Sequence, residues 1–137
     1  MTKFFVLLFI ALPVFLFAQE DRSVRIKKAE GTIVLDGELS ELDWQKADVA
    51  GGFNQTFPFD SAQALTNTEV RLTYDDKNLY IAAVCYDPVK GKHVIQSLKR
   101  DFSFPVSDAF AVFIDPFDDG ANGFSFSVNP LGVQREG

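Results

Sequence analysis

Residues Asp108 to Pro130 read DAFAVFIDPFDDGANGFSFSVNP, and this stretch decides the fold. Phe110, Val112 and Ile114 alternate with Ala109, Ala111 and Phe113, and Phe124, Phe126 and Val128 alternate with Ser125, Ser127 and Asn129. A period of two is the pattern of a pleated strand with one face toward a core. Between the two runs, DPFDDGANG supplies the Pro, Gly, Asp and Asn that provide turn dihedrals or side-chain-to-backbone bonds. The reading is strand, acidic turn, strand. On the second strand, Phe124, Phe126 and Val128 are fit for a core, whereas Ser125, Ser127 and Asn129 form a small polar strip. In antiparallel sheets such a strip is usually the solvated outer face, and less often a surface that holds a polar ligand.

Outward from this hairpin, the N-terminus has a different character. Lys3 precedes an apolar run from Phe4 to Phe17, and Ala18-Gln19 offers a cleavage point, the order expected of a signal peptide over residues 1–18. The run is short for a membrane span. Its removal leaves residues 19–137 as one domain, expected in the periplasm, at the outer membrane or outside the cell. The net charge of −6 becomes −7 without Lys3. An acidic chain with no Lys/Arg cluster argues against nucleic acid and against anionic lipid as partners. A single cysteine, Cys85, excludes an internal disulfide, and its alternation with Leu79, Ile81 and Ala83 assigns it to the core.

Along the chain, Val24 to Ala29 and Thr32 to Gly37 read as two short strands. Ser40 is placed to cap a short helix that carries Leu42, Trp44 and Ala47. Trp44, the only Trp, is expected to plug the end of a β core. Asp48 to Asn67 is a long loop in which Phe53, Phe57 and Phe59 stand beside Asn54 and Gln55. Thr68 to Asp87 is a hairpin turned at Asp75-Asp76-Lys77-Asn78, with a second strand, LYIAAVC, that is apolar on both faces and therefore central in its sheet. Arg71 shares the polar face of the first strand with Glu69 and Thr73. Asp108, at the entry of a core-facing row, needs a cationic or N–H partner, and Arg100 is the expected one. Together these segments predict an all-β fold, an antiparallel, jelly-roll-like β-sandwich with one short helix near Trp44.

No catalytic constellation is visible: G-x-S-x-G, H-E-x-x-H, a P-loop and paired Cys or His are all missing from the sequence. The acidic residues cluster in turns, where turn formation accounts for them without a facing pair for glycoside hydrolysis. Asp115, Asp118, Asp119 and Asn122 are the candidate oxygen ligands for a structural calcium, although their spacing is not that of an EF-hand.

Several pieces taken in order, IVLDGELSELDW, TEVRLTYDDKNLYIAAVCYDP, KRD and SDAFAVFIDPFDDGANGFSFSVNPLGVQ, are similar to family 9 carbohydrate-binding modules. They resemble more closely the version at the start of large secreted Gram-negative bacterial proteins. The resemblance implies an antiparallel β-sandwich that binds oligo- or polysaccharide, often with structural calcium, and that serves a downstream domain of the same polypeptide. Any hydrolysis of glycosyl bonds would then lie in that downstream region. Two departures bear on this reading. Well-studied members clamp sugar between two tryptophans, whereas the only Trp here lies in the LDGELSELDW motif, so phenylalanines such as Phe53 or Phe57 would have to substitute. Members also continue through further strands, so the resemblance implies a sandwich that is incomplete at Gly137. From residue chemistry, the expected carbohydrate contacts are Gln55, Arg71, Arg100 and Asn129 as polar partners and Phe57 as a stacking face. The alternative is a structural or interaction sandwich that has lost its sugar site, at the start of a larger envelope protein.

Overall fold

The computed structural model describes residues 23–60, 62–88, 91, 93–95 and 98–137, so the segment read as a signal peptide lies outside the described residues. The elements are β1 (Lys27–Lys28), α1 (Leu42–Lys46), β2 (Val49–Ala50), β3 (Thr68–Tyr74), β4 (Leu79–Cys85), a 3-10 turn (Phe104–Val106), β5 (Phe110–Ile114), β6 (Phe124–Val128) and β7 (Gln134–Glu136). The fold is all-β, in two sheets. In the first, β4 lies along one side of β3, while β2 and β1 share the other. The second runs β5-β6-β7. Every pairing is antiparallel except β1 with β3.

Local chemistry closes each hairpin. Asp75 Oδ1 accepts from the Lys77 and Asn78 amides, both at 2.7 Å, and Tyr80 Oη donates to Asp75 Oδ2 at 2.8 Å. These donors, the Lys77 amide first, hold the Asp75 carboxyl down at about 2. At the β5–β6 turn, Asp115 accepts from the Phe117 and Gly120 amides, and Gly120 takes a φ of 64°. At the β6–β7 turn, Asn129 Oδ1 accepts from Leu131 and Val133, both at 3.0 Å.

The N-terminal residues fold onto the first sheet. Residues directly opposite on paired strands share a face, so Arg71 and Thr73 lie with Ala82 and Tyr80. This face carries the cluster of Ile33, Trp44 and Ala82, with Ala29, Leu39 and Tyr80 packed around it. Trp44 is 4% exposed, as expected of a plug. The helix starts at Glu41 with no side-chain cap, so Ser40 does not cap it. The side chains around the helix N-terminus instead grip the preceding chain: Asp43 accepts from the Glu30 and Gly31 amides, and Glu41 Oε1 from the Val34 amide. Those bonds explain why 32–37 is irregular instead of a strand. Of the expected strand over 24–29, Lys27–Lys28 alone is formed.

The burial of the β5–β6 hairpin inverts the sequence expectation. Ser127 is 6% exposed, whereas Phe126 is 49% exposed, and Phe124 and Val128 are also open. Ser127 pairs with Arg135, whose guanidinium donates to Phe102 O at 2.6 Å and lies 5.0 Å over the Phe104 ring. Ser127 is therefore roofed by Arg135 and the Phe102–Phe104 segment. The Phe110, Val112 and Phe126 row instead faces Leu79 and Ile81 of β4 across a cleft of about 740 Å³. The cleft is open to solvent, and Leu79 and Phe126 in its lining are each about half exposed. Tyr80 and Ile33 line it as well as Leu79 and Ile81, so the row looks onto both faces of β4 at its edge, and no dry core closes there.

β4 also departs from its reading. Apolar on both faces, it was expected to be central, yet it pairs with β3 alone and forms an edge. Cys85 is correspondingly exposed instead of buried, because its face opens toward a cleft.

Truncating the plug by Trp44→Ala is expected to lower the unfolding free energy by about 3–5 kcal/mol, measured by urea denaturation followed by far-ultraviolet circular dichroism. The Asp75 carboxyl titrates lower when folded than its reference of 3.8. Its bonds therefore stabilise the fold above the unfolded pKa and are lost as pH falls from about 4 through about 2. Asp75→Asn is expected to flatten the loss of stability across that window, read from thermal midpoints against pH.

Candidate ligand-binding site

The residues expected to touch carbohydrate are distributed over three regions. Gln55 and Phe57 sit on a loop whose legs are joined by Gln55 N donating to Ala62 O at 2.8 Å and Ala64 N to Phe53 O at 3.0 Å. Gln55 Nε2 donates to Phe57 O, which turns the amide inward to hold the loop. Phe57 is 82% exposed and Phe59 71%, so their ring faces are free to stack. Arg71 stands on β3 and pairs with Glu69 at 3.0 Å, both half-buried. Arg100 pairs with Glu136 at 2.5 Å, not with Asp108 as expected from sequence. Asp108 is satisfied by the backbone: its Oδ2 accepts from Val94 N at 2.7 Å, and its own amide donates to Val94 O at 2.7 Å. A main-chain bridge between Ile95 and Ser107 brings that amide to the carboxylate, which leaves Arg100 to the β7 carboxylate.

Asn129 is 3% exposed, and its Oδ1 is occupied by the β6–β7 turn. It lines a cleft of about 510 Å³ together with Cys85, His93 and Asp108. A third cleft, of about 420 Å³, opens at the acidic turn, where Phe113 and Phe124 flank Asp115, Asn122 and Ser125. Phe113 is the aromatic that sequence reading passed over. The available signal was a Phe in the row opposite Ser125, where a solvated face would carry a polar residue. Gln55, Phe57, Arg71 and Arg100 line none of these three clefts.

Asp115, Asp118, Asp119 and Asn122, considered for calcium, lie on the acidic turn, but the Asp115 and Asp119 carboxylates serve their own turn. Asp115 accepts from Phe117 and Gly120; Asp119 accepts from the Ala121 and Asn122 amides and from Asn122 Nδ2. These donors hold both carboxyls below their usual range, Asp115 chiefly through the Gly120 amide and Asp119 chiefly through the Asn122 side chain. Among the described residues no three His, Cys, Asp or Glu side chains converge in a metal-holding group. No helix among them is long and apolar enough to cross a membrane.

No family model, curated protein or solved structure matches this chain. The chemistry of the surface therefore rests on its own geometry. It presents exposed aromatic faces at Phe57 and Phe59 and, at the β5–β6 turn, at Phe113.

Asn129→Ala is expected to leave the Leu131 and Val133 amides unpaired and to destabilise the fold by about 1–3 kcal/mol. Chemical denaturation measures this; an unchanged unfolding free energy would show that the turn does not depend on the side chain.

Proposed function

We propose that the chain is an exported, non-catalytic carbohydrate-binding domain that brings an attached region of the same polypeptide to glycans. The observation that carries this reading is the exposure of Phe57 and Phe59 on one loop. Sugars present a C–H face that such rings can cover, and Gln55 would exchange its bond to Phe57 O for a sugar hydroxyl. Covering one half of a Phe ring, roughly 100 Å², is worth about 2.5 kcal/mol before the costs of binding. That falls short of the about 4.1 kcal/mol of a millimolar affinity, so polar contacts must supply the remainder. Phe113, beside Asp115 and Asn122, offers a second surface of the same kind.

Calcium enters this reading at Asp115, Asp118, Asp119 and Asn122 as an ion that would have to exchange the carboxylates' backbone bonds for its own. A rise in melting temperature on adding millimolar calcium, reversed by chelator, supports it; an unchanged midpoint removes the metal and leaves the sugar reading standing.

The second reading is an interaction sandwich without a sugar site. Trp44 favours it, since the one indole is buried in the core, as does the use of Arg71, Arg100 and Asn129 in internal bonds. Calorimetric titration with xylo- and cello-oligosaccharides separates the two. The carbohydrate reading predicts binding that Phe57→Ala weakens about tenfold, a loss of about 1.4 kcal/mol. Absence of binding to any oligosaccharide would leave the interaction sandwich.

A further inference from the structure

We infer that residues 30–35 form a strap that acid releases from the first sheet while β3 and β4 stay paired. The strap lies between Ala29, whose amide donates to Tyr74 O at 2.8 Å, and the turn at Asp36 and Gly37, and it belongs to no strand or helix. Among the described residues, its main-chain hydrogen bonds end on two carboxylates, those of Asp43 on α1 and of Glu41 at the start of that helix. Glu30 N and Gly31 N donate to Asp43 Oδ1 and Oδ2 at 2.9 and 3.1 Å, and Val34 N donates to Glu41 Oε1 at 2.9 Å. Ile33, 8% exposed and packed with Trp44 and Ala82, is the strap's one buried side chain. A segment with a single apolar anchor and otherwise polar ties belongs to the low-stability end of a fold.

The fork of two consecutive amides onto Asp43 suits the ionised group alone. A carboxylate accepts at both oxygens, whereas the neutral acid makes one of them a hydroxyl donor, which then faces an N–H. The approach is close: a Cβ on Gly31 would meet Asp43 Oδ2 at 3.1 Å. The Glu30 amide above all, then the Gly31 amide and the Lys46 charge, hold the Asp43 carboxyl below 3.8 against the opposing effect of desolvation. A carboxyl lowered in this way adds stability above its unfolded value, and that stability is lost as pH falls through the folded value. The other titratable groups around it are Glu41 and Lys46 at the helix, Glu30 on the strap, Lys27, Lys28, Asp48 and Asp76 at its borders, Glu69 and Arg71 on β3, and Tyr80 on β4. Lys46 pairs with Glu30, Lys27 with Asp48 and Lys28 with Asp76, but these pairs are exposed and each contributes little. Glu69 and Arg71 neutralise each other. The pairing of β3 with β4 does not share this dependence. Seven residue pairs join the two strands, and the turn carboxylate Asp75, which also takes the Tyr80 hydroxyl, titrates only at about 2.

The test is an acid titration of the full chain from neutral pH. Trp44, the only tryptophan, reports on the strap through its emission and its quenching by acrylamide, and far-ultraviolet circular dichroism reports on the sheets. Below the reference value of 3.8, the emission should move to the red and quenching should rise severalfold, reversibly, before the sheet signal falls. The Glu30 and Gly31 amide resonances should move with the same midpoint. Asp43→Asn puts an NH₂ donor in place of one acceptor oxygen, so Trp44 should be open to quencher at neutral pH and the acid step should vanish, with the circular dichroism spectrum unchanged. Glu30→Gln removes only an exposed ion pair and should keep the step. A single transition shared by both probes overturns the inference. So does an Asp43→Asn protein whose Trp44 stays shielded or whose sheets are lost with the strap, or a Glu30→Gln protein without the step.

Discussion

The first sheet depends on β3, because every other element of that sheet is attached to it. β4 follows its whole length, β2 meets its first half at Val70 and Arg71, and β1 meets its end at Thr73 and Tyr74. Thr73, among the most buried residues of the described chain at 2% exposure, ties the arrangement together by donating its hydroxyl to Lys27 O at 3.0 Å. That bond lets a polar side chain lie under the N-terminal layer without an unmet donor. It also explains how a face carrying Glu69, Arg71 and Thr73 can be covered, since Arg71 and Glu69 neutralise each other there.

The second sheet is organised by a comparable inversion. Its polar row is covered at Ser127 and open at Phe113, and its apolar row lines the inter-sheet cleft. Two groups on the covered side, Ser127 Oγ and Arg135 Nε, are buried without a protein partner. Roofing small hydroxyls with Phe102, Phe104 and an arginine buries aromatic surface and gives Arg135 a ring to stack on. The cost falls on those two unmet groups. The opposite row, from Phe110 to Val128, gains no matching burial from the facing sheet, because the space between is too wide for its side chains to interdigitate.

The fold's local grammar was legible in the sequence. The alternation of Phe110 to Ile114 and of Phe124 to Val128, and the Asp75 and Asp115 turns, are each fixed by residues a few positions apart, and the strands and their hairpin pairings follow from them. The facing of the strands was not legible. Periodicity tells that two faces differ, not which is covered, and the answer rests on Arg135 and Phe102, distant in sequence from Ser127. The central position expected of β4 failed for a related reason, since a two-faced apolar strand marks a demand for neighbours, and this one has its neighbour on one side. The Arg100–Asp108 pair was lost to a backbone amide that the Ile95–Ser107 bridge brings nearer. The candidate ligand surface was half legible: the Phe57 loop stood out by composition, while Phe113 is recognised only once its row is known to be open.

The central claim is that β3 is the protected heart of its sheet while β4 presents a free edge onto an unclosed apolar cleft. Residue-resolved amide hydrogen exchange tests this most directly. The β3 amides should be the slowest in the molecule, and alternate amides between Leu79 and Cys85 should exchange as fast as those of loops. Uniform strong protection along β4 would contradict the account.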